Sequence, residues 1–162
     1  MTRFHELYEK YARDVYRFAL YLSGDAALAD DVTSETFIRV WSSPEPVRLA
    51  TVKGYLLTIA RNLCRMERRR SVRSQSLEET IPDRGQSVEL QAEVKEELEM
   101  VLHALQELPE VDRAAVLMRA NDGLPYEEIA AALALPVATV KVKVHRARLG
   151  LTQVRNQGVS TK

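Results

Sequence analysis

Three stretches of this 162-residue chain group side chains whose types and spacing suit binding chemistry. Placed on a helical wheel at 100° per residue, Val137–Leu151 gathers Thr139, Lys143 and Arg146 on one face, with Lys141, His145 and Arg148 on its flank. Lysine and arginine neutralise phosphates, and an arginine fork can grip a guanine edge in the major groove. In Val52–Arg70, Arg61, Arg65, Arg68 and Arg69 fall within about 100° of one another. Four guanidiniums on one stripe repel each other unless an anion compensates them, and a phosphate backbone is an anion of that kind. In Ala29–Trp41, Asp31, Ser34, Glu35 and Ile38 recur at i, i+3, i+4 and i+7, with Arg39 beside them. An isoleucine between acids on an outer face suits docking to a protein.

Each grouping also has a plain reading. A basic stripe can be a solvated helix face, and a Glu35–Arg39 pair is worth only a few tenths of a kcal/mol. What decides is the elements that must position these residues. "ATVKVKVHRARLGL" (Ala138–Leu151) opens in strand-like valine–lysine alternation. As a strand it would leave the basic tail unexplained and the preceding helix without a partner. As a helix, Val137, Val140, Val144, Ala147 and Leu151 form one packing stripe at spacings of three, four, three and four. With "PYEEIAAAL" before it, the segment has the dimensions of a helix-turn-helix. Val142 alone leaves the stripe and projects between Thr139 and Arg146. There it can pack on a thymine methyl instead of bonding a base edge.

Upstream, an amphipathic helix spans Phe4–Leu22, with Leu7, Tyr11, Val15, Phe18 and Leu22 on one side. Gly24 ends it, and Asp25 is placed to cap a second helix running to Trp41. The expected buried arc of that helix is Ala29, Thr33, Phe37, Val40 and Trp41. Two prolines and two serines make Ser42–Thr51 a loop. In the third helix, Val52–Arg70, Leu56, Ile59, Ala60, Leu63 and Cys64 fill the core side. Ser71–Ser87 is serine-rich and aperiodic and reads as a linker. A helix over Glu89–Glu107 follows, acidic on its outer face, then three more punctuated by Pro109, "NDGLP" and "ALP". The predicted architecture is all-α: two small helical domains, residues 1–72 and 91–155, joined by a flexible linker over 73–90. The second domain is a helix-turn-helix, and residues 156–162 are a tail.

Net charge is zero, but its distribution is not even. Residues 1–74 hold 13 basic and 9 acidic residues (+4), 75–112 hold 2 and 11 (−9), and 113–162 hold 8 and 3 (+5). Two basic blocks flank an acidic one. No stretch reaches the ~20 apolar residues of a membrane span. The charged N-terminus is unlike a signal peptide, and one cysteine excludes an internal disulfide framework and suits a reducing cytoplasm. His145 has no second histidine or cysteine at metal spacing. A glycine-rich phosphate loop and a nucleophile–base pair are also missing, so an enzyme has little support and neither metal nor cofactor is expected.

"LPEVDRAAVLMRANDGLPYEEIAAALALPVATVKVKVHRARLGL" resembles, without a gap, the C-terminal region of extracytoplasmic-function (ECF) sigma factors. "ADDVTSETFIRVW" resembles the sigma helix that grips the clamp helices of the largest polymerase subunit. "VKGYLLTIARNLCRMERRR" resembles the helix that binds and opens the minus-ten element. The resemblance implies that Asp31, Ser34, Glu35, Ile38 and Arg39 contact core RNA polymerase. It implies that Asn62 with Arg61, Arg65, Arg68 and Arg69 contacts minus-ten promoter DNA, and that Thr139, Lys141, Val142, Lys143, His145, Arg146 and Arg148 contact the minus-thirty-five element. It further implies an anti-sigma partner. Family members carry glutamine where Ser34 stands, serine where Pro125 and Pro136 stand, and glycine where Ala134 and Ala138 stand. Two other readings stay open: a helix-turn-helix regulator acting without polymerase, and a sigma mimic that sequesters an anti-sigma protein.

Overall fold

The computed structural model describes residues 2–43, 51–73 and 90–160. These form seven α-helices: α1 (Thr2–Ser23), α2 (Ala26–Ser42), α3 (Val52–Arg73), α4 (Leu90–Glu107), α5 (Glu110–Val116), α6 (Tyr126–Leu133) and α7 (Val137–Ser160). There is no strand among the described residues, as the all-α expectation requires. Most of the expected 42–51 loop and of the 73–90 linker lies outside the described residues. α7 runs to Ser160, through the segment expected to be a tail.

Helix ends follow from local chemistry. Asp25 caps α2 as expected, its carboxylate accepting from the Leu28 amide at 3.1 Å. Thr51 caps α3, its hydroxyl oxygen accepting from the Gly54 amide at 3.1 Å. α5 widens into a π-helical turn over Leu117–Asn121, closed by the Asp122 amide on the Leu117 carbonyl at 3.1 Å. Pro125 sits at the N-cap of α6 with φ −65° and offers no side-chain cap. Glu127 and Glu128 in the first turn instead place negative charge at the positive end of the helix dipole.

The two helical units share a single apolar cluster. Phe18, Leu22, Leu56 and Leu57 from the first half join Met118, Ile129, Val140 and Val144 from the second. The packing stripe read for α7 holds: Val140, Val144 and Ala147 are buried, with Val137 and Leu151 packed at its ends. The arc read for α2 needs correction. Its buried residues are Ala29, Val32, Thr33, Thr36 and Phe37, while Trp41 is 52% exposed. Thr33 and Thr36 enter the core because their hydroxyls donate to the carbonyls of Ala29 and Val32, both at 2.7 Å. On α3, Leu57 joins the buried arc and Ile59 is only half-buried.

The tight turn between α6 and α7 depends on Ala134, which adopts φ 58°, ψ 48° and is the one non-glycine residue at positive φ among the described residues. Leu135 then donates to the Ala130 carbonyl at 3.0 Å, closing the end of α6. A β-carbon in this left-handed region costs about 1–2 kcal/mol, partly offset by the smaller entropy of alanine in the unfolded chain. Ala134→Gly is therefore expected to stabilise the fold by about 0.5–1 kcal/mol, raising Tm by about 1–4 °C in a thermal melt. A lower Tm would show that the turn carries no such strain.

Candidate nucleic-acid and polymerase interfaces

α2 presents the face read from its sequence. Asp31, Ser34, Ile38 and Arg39 are exposed and Glu35 is half-exposed. Arg39 Nε donates to Glu35 Oε2 at 3.3 Å across one turn. Ile38 is 55% exposed, and Trp41 extends the apolar strip one turn further. The indole is held at that edge by Phe4, whose ring meets it edge-on at 4.7 Å, and Phe4 in turn meets Phe37. Trp41 was missed at this surface because a wheel with Phe37 at its centre places it on the core side.

On α3 the structure divides the arginine stripe. Asn62, Arg65, Arg68 and Arg69 are exposed, but Arg61 is buried. Its Nε and Nη2 donate to Glu110 of α5 at 2.9 and 2.7 Å, a bidentate pair between the two halves of the chain. The anion compensating Arg61 is thus a carboxylate of the same chain. Cys64 lies on the core side as expected, and burial, with Glu110 adding to it, pushes its thiol up to about 12. Such a thiol is a packing residue and no nucleophile.

A cleft of about 460 Å³ opens where the two halves meet, lined among others by Asp31, Cys64, Arg65, Arg68, Glu110 and Arg113. It brings the acidic end of the α2 face and the basic stripe of α3 to one place. The halves also meet at the start of α3. There Thr51 Oγ1 donates to Glu128 Oε1 at 2.6 Å. A β-carbon on Gly54 would stand 2.8 Å from that same carboxylate oxygen, so the Glu128 side chain keeps this position against α3 because residue 54 has no side chain.

α7 displays Lys141, Val142, His145, Arg146 and Arg148 to solvent, with Thr139 and Lys143 half-buried. Val142 is 58% exposed and lines a shallow depression with Ala138, Thr139, Lys143 and Arg146. Lys141 lies over the Tyr126 ring at 5.6 Å, beside Arg119 at 4.2 Å. Lys143 Nζ and Arg146 Nη2 both reach Asp112, at 3.1 and 3.4 Å. No group of residues suited to holding a metal ion occurs among the described residues, and none of their helices is long and apolar enough to cross a membrane.

A helical pair of units, one carrying an acidic face beside a basic helix and the other a helix-turn-helix, is the layout of sigma-70-type initiation factors. Residues 7–74 match the family model for sigma-70 region 2, and residues 98–151 match that for sigma-70 region 4. The chain is 38% identical to the ECF RNA polymerase sigma factor SigE of Mycolicibacterium smegmatis, over 91% of this chain and 60% of that protein. It is 33% identical to SigL of Mycobacterium tuberculosis, over 87% of this chain and 82% of the relative. The chain belongs to the ECF sigma factor family. In fold it resembles RpoE of Bartonella quintana, solved with the anti-sigma factor NepR (TM-score 0.75, 24% identity, covering 96% of this chain and 98% of that one). It also resembles CnrH, solved with the cytosolic domain of CnrY (TM-score 0.70, 22% identity, 97% and 90%).

Several partners of these residues were not singled out from the sequence. Glu110 and Asp112 stood only as charges of the acidic block, and Lys53 and Asp122 as charges of the basic ones. Lys53 Nζ lies 3.5 Å from Asp122 Oδ1 and 3.6 Å from Asp14 Oδ2, again joining the halves. Asp122 Oδ2 is buried with no hydrogen-bond partner. Burial is the main reason its carboxyl rises from 3.8 to about 6, against the pull of Lys53. The folded chain therefore holds this proton more tightly than the unfolded chain does. The stability from this group is full below pH 3.8 and is lost as pH rises through about 6. Asp122→Asn is expected to match the native protein at pH 4 and to exceed it by about 2 kcal/mol at pH 7.5. Urea unfolding at the two pH values checks this, and equal differences at both would refute the assignment.

Proposed function

We propose that this chain is a promoter-specificity subunit that joins core RNA polymerase and directs it to promoters to initiate transcription. The observation that carries this reading is one chain bearing three separate outward surfaces: the acidic α2 face, the α3 basic stripe and the recognition face of α7. In this reading Asp31, Ser34, Glu35, Ile38 and Arg39 dock on the clamp helices of the largest polymerase subunit, with Trp41 at the edge of the contact. Asn62, Arg65, Arg68 and Arg69 meet minus-ten DNA. Arg61 joins them only where Glu110 has let it go. Thr139, Lys141, Val142, Lys143, His145, Arg146 and Arg148 meet the minus-thirty-five element, Val142 through a thymine methyl. The subunit acts in the cytoplasm, has no catalytic chemistry of its own, and needs no cofactor. The complex of RpoE with the anti-sigma factor NepR supports an anti-sigma protein as its regulator.

The domain division that goes with this reading is a polymerase and minus-ten unit over 1–72, a linker over 73–90 and a minus-thirty-five unit over 91–155. Two weak DNA contacts linked through polymerase gain avidity that neither has alone.

In-vitro transcription with purified core polymerase across a promoter library tests the function. Initiation that requires this protein is the expected result. DNA binding without initiation would instead indicate a regulator acting without polymerase, and neither outcome a sequestering mimic. Arg65→Glu combined with Arg68→Glu reverses two charges facing the minus-ten backbone. It should lower promoter opening by at least about tenfold while leaving polymerase binding unchanged. Loss of both together would sink the division of faces.

A further inference from the structure

The recognition helix does not hold its two central cations free. Asp112, on α5, places Oδ1 3.1 Å from Lys143 Nζ and Oδ2 3.4 Å from Arg146 Nη2. Its side chain is 4% exposed, while those of Lys143 and Arg146 are 23% and 62% exposed. One buried carboxylate thus holds the cationic tips of both side chains, the Lys143 ammonium and one Nη of the Arg146 guanidinium. Both are on the face read as meeting the upstream promoter element, and both line the depression around Val142.

We propose that Asp112 is a positioning residue for promoter discrimination: it holds Lys143 and Arg146 in one geometry so that they read bases rather than merely attract phosphates. The proposal rests on the reading of α7 as the minus-thirty-five helix.

Long cationic side chains lose rotamer freedom when they bind, and a side chain already held loses less. Arginine has five N–H donors and lysine three. One donor of each is directed at Asp112, which leaves a guanidinium edge of Arg146 and two Lys143 hydrogens for DNA. Asp112 also adds one negative charge beneath the pair, which weakens their indifferent pull on any phosphate. Discrimination should therefore rise at the expense of non-specific affinity. Asp112 is itself fixed, being in the first turn of α5 and buried against the core. A carboxylate in that position can direct its two cations without moving.

The test uses full-length protein in holoenzyme with purified bacterial core polymerase. The probe is a promoter library randomised across the upstream element, with every member read at several salt concentrations. Asp112→Asn keeps the shape and removes the charge. It should reduce discrimination at the preferred upstream bases about tenfold and steepen the log–log salt slope by about one. Asp112→Glu keeps the charge but displaces the carboxylate; it should lose discrimination with the salt slope unchanged. In an Arg146→Ala, Lys143→Ala background, Asp112→Asn should alter neither quantity. Undiminished discrimination in both single variants would overturn the proposal, as would equal losses with and without Arg146 and Lys143. If the unmodified protein supports no initiation on any library member, the sigma reading itself fails, which is a separate result.

Discussion

The fold turns on where one buried guanidinium finds its acceptors. Arg113 is 3% exposed, and burial pushes its pKa below the ordinary arginine value. A cation in that setting must be hydrogen-bonded, because an unpaired one would be too costly to bury. Its partners are carbonyls at helix ends, where intrahelical donors run short. Nε donates to Leu105 at 2.8 Å and Nη2 to Leu108 at 2.9 Å, at the end of α4. Nη1 donates to Leu22 at 2.7 Å, at the end of α1. Gln106 adds a bond to the neighbouring Tyr21 carbonyl at 2.9 Å. The C-terminus of α1 is thus completed by side chains from the other half of the chain, with Gly24 donating to Leu20 to close the turn. Neither half could offer this arrangement alone.

With α1, α4 and α5 fixed at this point, the remaining geometry follows. The first turn of α5 then points at α3, which puts Glu110 within reach of Arg61. The π-helical turn carries the chain on to Asp122, which meets Lys53. α6 then lies against the start of α3, where Gly54 leaves room for Glu128. The single apolar cluster supplies the driving force, and these polar contacts fix how the two halves meet. Two units of about 70 residues each bury little surface alone, and sharing a core raises the buried fraction for both.

The helices and the α7 stripe were legible in the sequence because each is a local property. Spacing of three and four identifies a packing face whatever it packs against, so Val140, Val144 and Ala147 came out correctly despite the strand-like lysine alternation. Exposure of Asp31, Ile38 and Val142 was legible for the same reason. The failures were all tertiary. Thr36 was passed over because its polarity suggests a surface, whereas a hydroxyl bonded to its own helix can be buried. Arg61 was grouped with Arg65, Arg68 and Arg69 because the wheel gives their angles but not what lies opposite. Glu110, 49 residues further on, is invisible to any local pattern. The charge blocks hinted at it: an acidic segment between two basic ones can compensate them from within.

That compensation takes two mechanically different forms. Glu110 and Asp112 are two residues apart on the same short helix, yet they serve different interfaces. Asp112 bonds to α7, which packs with α5 in the same C-terminal unit, so its hold on Lys143 and Arg146 survives any motion of that unit as a body. Glu110 bonds across to α3, so separating the units breaks its pair with Arg61 and leaves the Asp112 pairs intact. Separation also exposes Lys53 and Arg113 contacts that the shared core now covers. Where the units part, a nucleic-acid backbone offers anions to Arg61, while Asp122 regains the water that burial denies it. The arginine is the element of this interface best able to exchange a carboxylate for a phosphate; the carbonyls at the end of α1 take water in place of Arg113.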